Sequence, residues 1–169
     1  MRLPTLYPLA LALALCGTAA FAALPSTLAL SEARDAVAEG RRLAAAGDLK
    51  AIVHLAYRYD EGIGVAADPK QAAMLYLVAA LEGDVTAQNN LALMYLEGRG
   101  VPQDDAQAAQ WLQRAAASGD VEAIVNLGVL YGEGRGVPRD AREAARLFRL
   151  AAERGDPRAR DYLQALSPR

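Results

Sequence analysis

The sequence predicts an all-α protein, a right-handed α-solenoid of helix-turn-helix repeats. Three observations predict it. The pair Gly-Asp recurs at Gly47-Asp48, Gly83-Asp84, Gly119-Asp120 and Gly155-Asp156, each step being 36 residues. Other columns keep the same step: Ala51, Ala87, Ala123 and Ala159; Leu55, Leu91, Leu127 and Leu163; Tyr59, Tyr95 and Tyr131. Of the 169 residues 38 are Ala, so much of the 53% hydrophobic content is small and helix-favouring. Residues 83–118 and 119–154 are identical at 18 of 36 positions, so the repeat is a property of the chain and not of chance.

Taken in order, residues 1–22 read as a secretory signal peptide. Met1-Arg2 gives the positive start, Leu9 to Leu15 is a short run of Leu and Ala, and Ala20-Phe21-Ala22 is a small-residue cleavage site. The run is too short for a membrane span of about 20 residues, and no later stretch is long enough. Cleavage after Ala22 predicts a periplasmic or secreted protein without cysteine. Leu13-Ala14-Leu15-Cys16-Gly17 offers an alternative, a lipoprotein anchored through Cys16, although Leu15 is larger than a lipidation site wants.

Residues 23–30 read as an irregular lead-in, and 31–46 as a lone cap helix. Full repeats follow at 47–82, 83–118 and 119–154, then a terminal half-repeat at 155–166 and a tail at 167–169. Eight helices result. In each repeat the first helix starts on the Asp of Gly-Asp, whose carboxylate can accept the free N–H groups of the first turn. It stops at Gly62, Gly98 or Gly134, residues suited to the left-handed helix stop. The second helix starts at Asp68, Asp104 or Asp140. Gln71, Gln107 and Glu143 stand three residues on, which predicts a reciprocal capping box.

Packing follows from spacing. Ala51, Leu55 and Tyr59 make one stripe of a first helix. Ala72, Leu75 and Ala79, matched by Ala108, Trp111 and Ala115, make one of a second helix. One helix pair cannot bury its apolar surface alone, whereas stacked pairs can. The half-repeats at the two ends supply polar caps through Arg41, Arg42, Arg158, Arg160 and Asp161.

Function is less legible. The net charge of -2 argues against a protein built to grip nucleic acid. One Cys and one His leave no zinc site or disulfide framework within the chain. The Gly-x-Gly loops follow helices in register, so turn closure explains them better than phosphate binding. His54 shares a column with Asn90 and Asn126, a place for a locally hydrogen-bonded polar group. Glu61, Glu97 and Glu133 are spread one repeat apart and read as solvated, with Arg99 and Arg135 as ion-pair partners. No nucleophile–base pair or paired-carboxylate constellation appears, so no catalytic residue and no cofactor is expected. A small cell-envelope hydrolase or wall-modifying enzyme is the alternative from another class. A lipid-anchored structural protein of the envelope is a third.

The unit A-x-x-x-L-x-x-x-Y-x-x-G-x-G-V-x-x-D, followed by paired alanines in a second helix, closely resembles the Sel-one-like repeat (SLR) family. Residues 87–118 and 123–154 match best, and Ala66 departs from Pro102 and Pro138. The resemblance implies a non-enzymatic adaptor that holds a protein or peptide on its concave face. By analogy with tetratricopeptide arrays, Val53, Tyr57, Asn89, Leu93, Leu96, Val125 and Val129 are the expected partner-binding residues. Some relatives carry a disulfide in each repeat, and this chain lacks those cysteines. Finally, Arg139, Arg142, Arg146 and Arg149 fall on one helix face. Residues 135–169 hold nine Arg against five acids, net +4. That face is a possible basic patch toward an anionic surface, against the plainer reading of a solvated helix face.

Overall fold

The computed structural model describes residues 27–166. Its helices are α1 (Thr27–Ala45), α2 (Leu49–Glu61), α3 (Pro69–Leu81), α4 (Val85–Glu97), α5 (Asp105–Ala117), α6 (Val121–Glu133), α7 (Ala141–Glu153) and α8 (Arg158–Leu166). The described residues are all-helical, with no strand. The segment expected to be a signal peptide, with Cys16, and the tail at 167–169 lie outside them. The lead-in expected over 23–30 is corrected in part: α1 already includes Thr27 to Leu30. Leu28, Ala29 and Leu30 are good helix formers without a breaker among them, so the helix extends backwards past Ser31.

Each helix packs on its predecessor and its successor, and the pairs within a repeat are in closest contact. First helices (α2, α4, α6, α8) and second helices (α1, α3, α5, α7) alternate along the stack. Like helices also touch across repeats. Asn126 of α6 donates to Asn89 of α4 at 3.4 Å, and Arg154 after α7 donates to the carbonyl of Gly119 after α5 at 2.9 Å. The result is an α-solenoid with one continuous core running from α2 to α8.

Two kinds of turn build it. After each second helix, the glycine has positive φ and its N–H reaches back three residues. The following Asp N–H reaches back five, as in Asp84 to Ala79 at 2.9 Å and Asp120 to Ala115 at 3.1 Å. This is a Schellman stop. The same Asp then starts the next helix: Asp48, Asp84 and Asp120 accept from Ala51, Ala87 and Ala123 at 3.1, 2.8 and 2.7 Å. One residue ends one helix and begins the next, which leaves the connection between repeats almost no slack.

The turn inside a repeat departs from expectation. Asp68, Asp104 and Asp140 do cap their helices, accepting from Gln71, Gln107 and Glu143 backbone N–H at 3.0–3.1 Å. The reciprocal half of the capping box is not formed. The Asp N–H groups donate instead to the carbonyls of Tyr59, Tyr95 and Tyr131, at 2.8, 3.0 and 2.8 Å. The backbone of the preceding helix reaches that N–H first, so the Gln or Glu side chain is released. Glu143 turns to Arg146, which donates to it through two nitrogens at 2.8 and 2.6 Å.

The core also differs in its deepest column. Ala72, Ala79, Ala108 and Ala115 are buried, but so are Tyr76, Leu112 and Phe148, one residue beyond the Leu75–Trp111 column. Small alanines on both sides leave the room that these larger side chains fill. Phe148 comes so close to α6 that Gly128 stands where earlier repeats have Ala56 and Ala92; a Cβ there would lie 2.7 Å from the ring.

Candidate functional site

The side chains expected to meet a partner divide into two groups. Tyr57 is 49% exposed, and Val53, Leu93, Leu96 and Val129 are half-buried, so all five reach the surface of the first-helix layer. Asn89 and Val125 do not: they are 5% and 1% exposed. Their assignment as contact residues is corrected. Both share a column with Val53, but Val53 lies in the first repeat, whereas α4 and α6 are enclosed by repeats on either side. Asn89 is occupied by Asn126, and Val125 belongs to the core. Val129 lines a cavity of about 180 Å³ with Gly128, Phe148, Tyr162 and Leu166, where α8 closes the end of the stack.

The polar column of His54, Asn90 and Asn126 behaves as its composition suggests in two copies. Asn126 bonds Asn89, and Asn90 stands close enough to the Tyr76 hydroxyl to temper the rise of its pKa. His54 is exposed. Burial, reinforced by the charge of Asp60, pushes the Tyr76 phenol well above the ordinary tyrosine range, so it stays neutral.

Arg99 and Arg135 are more than solvated loop residues. Arg99 pairs with Glu97 in its own loop and with Asp60, an almost fully buried carboxylate of the preceding repeat. Arg135 makes a two-pronged bond to Asp105 of the preceding repeat, at 3.0 and 2.9 Å, and lies 3.5 Å from Glu133. The acid has moved: Leu96 stands at the position of Asp60, and Pro69 at that of Asp105. Equivalent arginines therefore bridge successive repeats through non-equivalent acids. In each, the bond to that acid holds the guanidinium pKa above its usual value.

Of the basic face, Arg139 donates to the Gly132 carbonyl at 3.0 Å and Arg146 is held by Glu143. Arg142 and Arg149 are exposed. Two of the four are thus committed to local bonds. Among the described residues, no group of three or more His, Cys, Asp or Glu is placed to hold a metal ion. Among them, too, no helix is long and apolar enough to cross a membrane.

Sequence reasoning missed one surface. Met74, Leu77, Val78 and Leu81 form an exposed stripe on α3. The signal was available: residues 72–81 are apolar around the whole helix, and the same columns hold Gln110, Gln113 and Arg114 in α5.

The fold and its turns define an α-solenoid of 36-residue, two-helix repeats. The Sel1 repeat model matches residues 49–84, 85–120 and 121–156, the same period as read above with its frame shifted by two residues. The chain belongs to the Sel1 repeat family. Among solved structures it is similar to a protective antigen present in uropathogenic Escherichia coli strains, which displays an SLR fold. The identity is 41% over 73% of this chain and 26% of that one, with a TM-score of 0.71. A Sel1 repeat protein from Oxalobacter formigenes is 31% identical over 78% of this chain and 59% of its own, with a TM-score of 0.67. Cysteine-rich protein B of Helicobacter pylori shares the fold, at 22% identity, a TM-score of 0.53, and coverage of 56% of this chain and 71% of its own. The chain thus spans about a quarter of the first relative and 59% of the second. No curated protein is significantly similar to it in sequence. Sel1 repeat proteins are generally scaffolds for protein–protein interaction.

Proposed function

We propose that the chain is an exported, non-enzymatic adaptor that holds a protein or peptide segment on the concave face of its short array. The observation that carries this is the open face of the first helices. Tyr57, Leu93, Leu96 and Val129, with Val53 at the margin, stay accessible while the Ala-Leu columns beside them are buried. Ordered apolar side chains on a rigid support are what a docking segment needs, because little freedom is lost on binding. Three repeats make a modest face, suited to a short peptide segment or one face of a domain. The Arg2 start, the Leu9–Leu15 run and Ala20-Phe21-Ala22 support export.

Affinity capture from envelope extracts tests both parts. The Tyr57→Asp/Leu93→Asp double variant is expected to lose the retained partner while keeping its helical circular dichroism. Undiminished capture removes this face as the site. Mass spectrometry of the mature protein is expected to find Ala23 at the N-terminus, and an acylated Cys16 refutes free export.

A further inference from the structure

Helix α3 is apolar around its circumference. Ala72, Tyr76 and Ala79 are buried in the stack, while Met74, Leu77, Val78 and Leu81 stand 62%, 37%, 49% and 64% exposed on the other side. These four follow the i, i+3, i+4, i+7 spacing of a packing helix, and a helix apolar all round is normally covered on both sides. The repeat itself does not require them. The matching positions are Gln110, Gln113, Arg114 and Ala117 in α5, and Arg146, Arg149, Leu150 and Glu153 in α7.

We propose that this stripe is covered by the same stripe of a second copy of the chain, with α3 packed antiparallel on α3 in a two-fold dimer. The inference concerns the second-helix layer and does not rest on the partner face proposed above. Three features point to a second copy. The stripe reads the same in both directions: reversed end for end, Met74 meets Leu81 of the second copy, and Leu77 meets its Val78. A two-fold interface requires this self-complementarity.

The second feature is a receptor for the protruding side chain. Lys70, Ala73, Met74 and Leu77 stand at the four corners of a hole of the kind that accepts a knob from a facing helix. They line a cavity of about 280 Å³ together with Leu91, Tyr95 and Val101. In the antiparallel register, Leu81 of the second copy lies over it.

The third is charge. Lys70 and Glu82 lie at opposite ends of the stripe, both exposed, and neither has an ion-pair partner among the described residues. Antiparallel packing brings each toward its opposite in the second copy, whereas parallel packing sets Lys70 beside Lys70. Apart from Lys70, the flanking cations are already engaged. Arg42 bonds Glu39, and Arg114 lies over the Trp111 ring at 4.5 Å. Among the described residues, the flanks therefore offer one free cation matched by one free acid, not the wholly basic border that an anionic lipid surface would select. One stripe is smaller than the roughly 800 Å² per partner of a durable interface, so association depends on concentration.

Sedimentation velocity on the full chain, over about a hundredfold range of concentration, tests the proposal. A monomer–dimer equilibrium is expected. Leu81→Glu, which puts a charge into the hole, should raise the dimer Kd about a hundredfold, and Met74→Glu should act likewise. Lys70→Glu and Glu82→Lys should each raise it about tenfold, and the double exchange should return it to within about threefold of the starting value. Circular dichroism should not change in any variant, since all four side chains are exposed. The proposal is overturned by a monomer at every concentration, by a dimer indifferent to Leu81→Glu, or by a double exchange no better than its parents. It is equally overturned by a monomer that floats with phosphatidylglycerol vesicles and loses that property on Leu81→Glu, which would assign the stripe to lipid.

Discussion

Gly83 and Gly136 both have positive φ, at 93° and 67°, but they are glycine for different reasons. A Cβ on Gly83 meets nothing within 4 Å. On Gly136 it would lie 1.9 Å from the carbonyl oxygen of Asp105, the first residue of the preceding second helix, and on Gly100 it would lie 2.0 Å from that of Pro69. The second glycine of each of these Gly-x-Gly loops is therefore a spacer between repeats, where backbone meets backbone and no side chain can give way. Gly83→Ala should cost about 1 kcal/mol, the ordinary left-handed penalty. Gly136→Ala should cost about 3 kcal/mol or more, because the repeats must separate to admit the methyl. Urea denaturation of the two variants checks the difference. Similar midpoints would mean that the contact relaxes without loss. The spacing of the loops was legible in the sequence. Their role as a contact was not, because Asp105 lies some thirty positions away along the chain.

At the scale of the element, a single aspartate both closes one helix and opens the next. Asp156 shows this at the last junction. Its N–H donates to the Ala151 carbonyl at 3.0 Å, and its carboxylate accepts from the backbone N–H of Arg158 at 2.8 Å and from that residue's guanidinium. The Arg158 side-chain bond, with the backbone bonds, lowers the Asp156 pKa below the usual carboxylate value. A lowered carboxylate pKa stabilises the fold above the unfolded value of about 3.9, and that stabilisation is lost as pH falls through the folded value. Protection factors of the α8 amides, corrected for the intrinsic pH dependence of exchange, should therefore fall on acidification below about pH 4, and Asp156→Asn should lower protection at neutral pH and flatten this dependence. Helix starts of this kind were legible from Gly-Asp alone. The half-formed capping box was not, because it turns on which acceptor reaches the Asp68, Asp104 and Asp140 N–H groups first. Only the folded path of the chain fixes the Tyr59, Tyr95 and Tyr131 carbonyls there.

For the whole molecule, stability is a sum of repeats and the interfaces between neighbours. The end of the stack depends on α8. Tyr162 stacks on Phe148 with ring centroids 4.8 Å apart, and Ala159 is fully buried. Removing residues 157–169 should expose Phe148 and cost at least about 2 kcal/mol, the value of one large apolar side chain. Because contacts run between neighbours, the loss should concentrate in the third repeat. Hydrogen exchange would show α6 and α7 losing protection before α2 and α3. A uniform loss along the chain would mean that the repeats fold as one indivisible unit. The same logic explains why Asn89 and Val125 misled a column-by-column reading. An identical register position is half-buried in the first repeat and core in the enclosed ones.

The period, the helix starts and stops, and the buried Ala-Leu columns follow from the amino-acid sequence by itself, because each depends on residues within one turn or one repeat of each other. The placement of the cross-repeat ion pairs and the spacer glycines, and whether the apolar stripe of α3 is covered, were decided only in the tertiary structure. Those features depend on which surfaces the stacking brings into contact and which it leaves open, and a linear pattern repeated every 36 residues does not distinguish an inner copy from an outer one.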